Sequence, residues 1–367
     1  MSDLREGLLF PNLLTRSERR ELDREPEPRF LYQSMGAGWQ STAIALLAAQ
    51  GVIEKPRFAV FADTGWEPPE VYAHLARLDE EVLAPAGIAL VRVRAGSIYD
   101  EALDPHFPRS LPLYTRDPKT GEPGGITSRA CTTNFKMIAI YRWLREQLGA
   151  KVSEGSCTFC SGEGQRNAPW LVKYGHDNPW GICSVCRGTG TVRKVGAPPQ
   201  GVWARSYVGF SADEMDRISP SRVSYAFDTF PLVGRDQNGE VVPPDLSMSR
   251  HDCGEYNTRH GFPEVMKSAC IGCPWHSDAE WIRIKQDERQ WQQVVDLDRS
   301  IRNTPGLDNE AFLHKSRIPI EDVTFETVDD VERPSCSPYG CRSGLDTDSV
   351  APPSLFDDDW IDLEETA

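Results

Sequence analysis

With 367 residues, 40 Lys and Arg against 55 Asp and Glu, and a formal net charge of −15, the chain is long enough for about two domains. It is too acidic for its whole surface to hold nucleic acid nonspecifically. No stretch approaches the roughly 18–20 apolar residues of a membrane span, and Met1 to Pro28 lacks the apolar core of a signal peptide. A cytoplasmic protein with no membrane partner is expected. Ten cysteines in that compartment point to metal rather than to disulfides.

Residues 1–27 are highly charged and read as a flexible lead-in. An α/β alternation follows: strand 29–34, helix about 41–51, strand 57–61, helix about 68–83 and strand 88–93. Two β-α units and a further strand imply an α/β fold with a doubly wound, mainly parallel, Rossmann-like sheet. Residues 104–128, rich in Pro and Gly, predict a loop over one sheet edge, and Asn134 to Leu148 an amphipathic helix. Residues 151–200 break the pattern and read as an inserted module. From Trp203 the α/β pattern resumes to about residue 330, with Ser211 to Ile218 as a loop or helix start and Glu280 to Arg302 as one long helix. A Cys-containing acidic tail, 331–367, ends the chain.

The most informative segment is Ser34-Met35-Gly36-Ala37-Gly38-Trp39-Gln40-Ser41-Thr42, between the first strand and the first helix. Glycines permit close backbone approach, and a helix start presents free N–H groups at the positive end of its dipole, so the loop predicts an anion site. It is neither a Walker A loop nor a G-x-G-x-x-G loop. Asp63-Thr64-Gly65 falls at the carboxyl end of the second strand, where such sheets bind ligands.

In the insertion, Cys157-Thr-Phe-Cys160-Ser-Gly-Glu-Gly164 is echoed by Cys183-Ser-Val-Cys186-Arg-Gly-Thr-Gly190. Two such pairs suit one tetrahedral zinc ion held by four thiolates. The repeat resembles the zinc-binding knuckles of DnaJ-type chaperones, over these residues only. Charge is also uneven. Residues 128–207 hold eleven Lys/Arg against four Asp/Glu, whereas Gly344 to Ala367 holds eight acids and no base. Arg166, Lys173, Arg187, Arg193 and Lys194 decorate the module, which either docks a polyanion or caps the fold.

In their order, the Ser34–Thr42 loop, Asp63-Thr64-Gly65-Trp66-Glu67-Pro68-Pro69-Glu70-Val71-Tyr72, Cys131 followed by Lys136, Gly209–Arg217 and Cys270-Ile-Gly-Cys273 resemble the phosphoadenosine phosphosulfate (PAPS) reductase family. That family belongs to the adenine nucleotide α-hydrolase superfamily. The resemblance covers about residues 29–145 and 203–320 and implies an adenine nucleotide, PAPS or ATP with Mg²⁺, as ligand. Carried over, Ser34, Gly36, Gly38, Gln40, Ser41 and Thr42 would cradle the anion. Asp63, Thr64 and Gly65 would line the adenosine pocket, and Arg129, Lys136 and Arg217 would balance phosphate charge.

The same resemblance implies a [4Fe–4S] cluster, or a second zinc, on Cys131, Cys270 and Cys273, with Cys253, Cys336 or Cys341 as a fourth ligand. Cys253 falls in a helical stretch and reads alternatively as a buried free thiol. Cys131 and Cys341 are the candidate catalytic thiols. Two departures bear on chemistry: Gln40 stands where ATP-cleaving relatives carry Asp, and no Glu-Cys-Gly-x-His segment supplies the reductase nucleophile. The expected function is an enzyme of sulfur metabolism or sulfur transfer, either sulfonucleotide reduction or nucleotide-dependent sulfur insertion into an acceptor such as nucleic acid. A sulfur-donor or reductant protein and a homodimer are the further expected partners. The alternative is a nucleotide-sensing or DNA-associated adaptor without catalysis.

Overall fold

The computed structural model describes residues 24–103, 110–158, 160–167, 180–183, 186–304 and 307–326. Cys336 and Cys341, Lys173, the side chain of Arg166, most of the 1–27 segment and the 331–367 tail lie outside the described residues. Eight cysteines are described, and none of them forms a disulfide.

Six strands build the main sheet: β1 (Leu31–Met35), β2 (Phe58–Ala62), β3 (Ala89–Val93), β10 (Ala204–Tyr207), β11 (Ala226–Phe230) and β12 (Arg235–Asp236). Their order is β12-β11-β10-β1-β2-β3, parallel except for β12. The chain winds outward from β1 through β2 to β3, then returns to lay β10 on the other side of β1. The carboxyl ends of β1 and β10 therefore flank the point where the winding reverses, the ordinary crevice for a ligand in open α/β sheets.

Helices cover both faces. Helix α1 (Trp39–Ala49) and α2 (Pro69–Leu78, continued by a wider turn to Leu83) pack with Met35, Ala59 and Phe61. Helix α4 (Ile138–Gln147), entered through a π-helical turn at Thr132–Met137, packs on Tyr32, Val60 and Ala62 from the opposite face. The residues from Ala43 to Ala48 are all buried because α1 is covered twice, by the sheet and by α5 (Arg250–Arg259). An apolar run without a polar face suits that position. Gly254 of α5 lies against the Trp39 ring, and Asn257 Nδ2 donates to the Trp39 carbonyl at 3.0 Å. Cys253 in α5 is fully buried, and burial pushes its thiol up to about 12, as an inert core thiol requires.

A second apolar layer lies at the carboxyl edge. There α3 (Ile98–Leu103), α6 (Asp278–Lys285) and α7 (Glu288–Ile301) enclose Trp66, Phe135, Cys270 and Trp281. Two expectations are corrected in this layer. The single helix from Glu280 to Arg302 is two, because the Asp287 side chain accepts from the Gln290 N–H at 3.0 Å and starts α7 afresh. The 104–128 loop contains a hairpin, β4 (Tyr114–Arg116) and β5 (Pro123–Ile126), which pairs with the distant β13 (Glu310–Phe312).

The insertion departs from the sheet through an antiparallel pair, β6 (Val152–Ser156) with β9 (Thr191–Val195). A second pair, β7 (Gln165–Asn167) with β8 (Trp180–Ile182), lies within it. Arg193 reaches Glu146 of α4 through both guanidinium nitrogens, and Arg187 reaches Glu101 of α3 and the Ala95 carbonyl. The module is thus tied to the edge beside β3.

Candidate functional site

The loop after β1 is held from three sides. Gly38 is the N-cap of α1, and Ser41 Oγ accepts from its N–H at 3.1 Å. Gly209, after β10, comes so close that a Cβ there would sit 3.4 Å from the Ser41 nitrogen. The Met266–Ser268 segment closes the third side against Gly38. Ala37 is held at φ 58°, a left-handed conformation costly for a residue with a side chain and concentrated at functional turns. The first-turn N–H groups of α1 have no acceptor within the helix. Ser34 is 3% exposed, and its hydroxyl has no hydrogen-bond partner among the described residues. Buried hydroxyls are normally satisfied, so Ser34 marks a place for a polar ligand atom or a water.

The other polar side chains of the loop are engaged. Gln40 Nε2 donates to Glu214 Oε2 at 3.1 Å and lies 3.4 Å from Ser211 Oγ. Glu214 in turn holds Arg217, whose guanidinium stacks over Phe210 at 4.4 Å. Thr42 Oγ1 meets His74 Nε2 at 2.9 Å. Burial, with Arg77 nearby, lowers His74 to about 4, so the imidazole is neutral at pH 7. Gln40, Thr42 and Arg217 therefore brace the loop.

At the end of β2, Asp63 Oδ1 accepts from the Gly65 N–H and from Tyr72 Oη, both at 2.8 Å. Thr64 is fully buried and donates to Glu67 Oε1 at 3.1 Å, with Cys270 Sγ 3.2 Å away. Glu67, 3% exposed, also faces Lys136 Nζ at 4.0 Å and Ser268 Oγ at 3.5 Å. A buried carboxylate needs such company, and removing either charge of a buried pair typically costs about 3–5 kcal/mol. The motif around Asp63 contained Glu67, but nothing in the spacing showed it converging with Lys136 and Cys270. Arg94 also stands at this edge, and no motif in the sequence signals it. Its exposed guanidinium lies over Gly65, where a Cβ would come within 2.0 Å of it.

Cys270 and Cys273 form a tight turn, Cys273 N donating to the Cys270 carbonyl at 3.0 Å, which also faces His276 Nε2 at 2.9 Å. His276 is in turn 3.6 Å from Glu280. Burial would raise the Glu280 carboxyl, but His276, Lys267 and the Ser277 N–H outweigh it and hold it below the usual range. Cys131 starts the π-helical turn and packs on the same apolar cluster as Cys270. Arg129 stacks on Trp275 at 5.3 Å.

In the insertion the four predicted cysteines do meet. All four sulfurs lie within 4.8 Å of one another and are buried, with Cys157 and Cys183 at 3.8 Å and Cys160 and Cys186 at 3.6 Å. This group can hold a metal ion. Cys131, Cys270 and Cys273 do not join such a group at that spacing among the described residues. The two knuckles are near-copies: the Gly164 N–H donates to Cys160 Sγ at 3.2 Å and the Gly190 N–H to Cys186 Sγ at 3.3 Å. Glycine is required at both. Each is at positive φ, and a Cβ would fall 2.4 Å from the Gly188 oxygen or 2.2 Å from the Gly162 oxygen. Burial opposes ionisation of Cys160, but the Gly164 N–H and the sulfurs of Cys186, Cys157 and Cys183 bring its thiol down to about 7.

No helix among the described residues is long and apolar enough to cross a membrane. The chain matches no family model, no curated protein and no solved structure.

Proposed function

We propose that the protein binds an adenine nucleotide at the crevice between β1 and β10 and acts on it as an enzyme of sulfur metabolism, with zinc in the four-cysteine module. The observation that carries the phosphate half is the buried Ser34 hydroxyl, unpartnered among the described residues, on β1 just before the glycine loop that starts α1, at the reversal of the sheet. Adenine enters through the motifs shared with the PAPS reductase family. The Cys270 thiol beside Thr64 and Glu67 supports thiol chemistry at the same edge.

Gln40 favours a sulfonucleotide over Mg²⁺-dependent ATP cleavage, because its side chain is taken up by Glu214 and offers no carboxylate to a cation. Zinc is favoured for the module because a tetrahedron of Zn–S bonds of about 2.3 Å places sulfurs about 3.8 Å apart, close to the 3.6 and 3.8 Å separations found.

Calorimetric titration with PAPS, ATP and AMP tests the binding, and release of sulfite from PAPS under a thiol reductant tests the chemistry. Binding in the micromolar range with sulfite release is the expected outcome. Binding without turnover of PAPS or ATP would leave a nucleotide-sensing adaptor, and no binding of the three ligands would sink the proposal.

A further inference from the structure

The junction of the module with α4 concentrates positive charge on an otherwise acidic protein. The 128–207 segment carries eleven Lys/Arg against four Asp/Glu, so the remainder of the chain supplies the whole acid excess. Arg142 and Arg145 of α4 face Arg187 and Arg193 of the module, with Glu146 among them and Glu154 opposite Arg193 on the paired strand. Arg193 is engaged with Glu146 and Arg187 with Glu101. Arg142 makes no hydrogen bond or ion pair among the described residues, although it is half-buried. Burial, Arg145, Arg193 and Arg187 all push its guanidinium down, and Glu146 only partly offsets them. Like charges held together without enough acids are unfavourable in the free protein, and an incoming anion relieves them.

Beside this charge the module exposes apolar surface. Trp180 is 46% exposed and Ile182 41% exposed, two residues apart on β8 and hence on one face. Ile182 lies against Gly188, next to Arg187, so the ridge and the arginines are continuous. Cationic side chains alone would suit any polyanion. Joined to an exposed indole, they suit a phosphodiester backbone whose bases are free to stack.

We infer that the face formed by α4 and the metal module is a docking surface for single-stranded nucleic acid, with Arg142 on phosphate and Trp180 as a stacking platform. It lies along the β3 edge, where Arg187 reaches the Ala95 carbonyl just beyond the carboxyl end of that strand, so a strand bound there runs toward the candidate site. The inference does not depend on nucleotide binding at β1.

Fluorescence anisotropy on the full, zinc-loaded chain tests it, with labelled oligo-dT and oligo-U of about twenty nucleotides. Expected is binding that weakens steeply with salt. Arg142→Gln should lower affinity severalfold and reduce the salt slope by about 0.7–1. Trp180→Ala should cost roughly tenfold, and Arg142→Lys should restore most of the Arg142→Gln loss. Both positions leave the four cysteines intact, so an unchanged zinc content and melting curve verify folding. Preference for dT or U identifies DNA or RNA as the strand. The inference is overturned by absence of binding at low salt, or by indifference to both variants. Duplex bound as tightly as single strand, or polyaspartate bound as tightly as oligo-dT, overturns it equally.

Discussion

The β1 loop and the cysteine module are both glycine-dependent turns that aim backbone N–H groups at negative charge, yet they are built to opposite ends. In the module the anions are its own: four sulfurs within 4.8 Å of one another, with Gly164 and Gly190 donating to two of them. In the loop the N–H groups of the first turn of α1 have no acceptor within the helix, and the buried hydroxyl of Ser34, at the end of β1, has no partner among the described residues. A complete first set of donors marks a structural site, and an incomplete one marks a site for an exchanging ligand.

Metal removal separates the regions most strongly. Structural zinc in small modules contributes on the order of 10–16 kcal/mol of apparent binding free energy at neutral pH. Chelation, or Cys157→Ser, should therefore melt the 151–200 module, detected as rapid proteolysis there. The six-stranded sheet should keep its helical and strand circular dichroism. Collapse of the whole fold on chelation would show that Arg187 and Arg193 make the module part of the core rather than an appendage.

Acid should weaken the loop side instead. His74 lies at about 4 when folded, against about 6.5 in an unfolded chain, so the unfolded chain takes up a proton that the native imidazole refuses. The native contribution is intact above pH 6.5 and is lost as pH falls from about 6.5 to about 4, reaching roughly 3 kcal/mol. Asp228, pushed up to about 6 by burial, titrates in the same window with opposite sign. The difference in urea stability between the parent and His74→Gln cancels that term. A difference that stays flat across this window would show that His74 titrates normally.

A smaller effect is expected at Gln40. Gln40→Leu removes the donor to Glu214 Oε2 and leaves the Glu214–Arg217 pair intact. A loss of about 1–2 kcal/mol in urea melts is expected. Nucleotide affinity should fall only through loosening of the Gly209–Ser211 turn that Gln40 anchors. Restored ATP cleavage in Gln40→Asp would show instead that the position chooses the reaction.

Much of this contrast was legible in the chain. The module was visible because cysteine spacing and following glycines are local, and the loop because strand, glycines and helix start are consecutive. What escaped depended on distant pairing. The 104–128 hairpin needed β13, almost two hundred residues on, and Glu67 needed Lys136 and Cys270 from two other elements. The loop position of Gln40 points to the anion, yet its side chain has a partner 174 residues later. The break between α6 and α7 turned on Asp287 capping α7, in a stretch whose charges suited one continuous helix. Period and composition report the neighbours along a chain, whereas polar satisfaction in the interior is decided between elements.

Ser34→Ala gives the smallest change in stability and the sharpest view of the loop. The hydroxyl is buried and has no partner among the described residues, so its removal deletes no hydrogen bond among them and relieves an unsatisfied group. Stability should change by less than about 0.5 kcal/mol, within the range of neutral substitutions. If the hydroxyl serves a ligand phosphate, the same variant should bind nucleotide about tenfold more weakly, a loss of about 1.4 kcal/mol that exists only in the complex. A water-satisfied structural hydroxyl predicts the reverse pattern, with stability lost and affinity kept. Melting curves and titrations on one purified variant thus decide whether the β1 loop is left incomplete for a ligand.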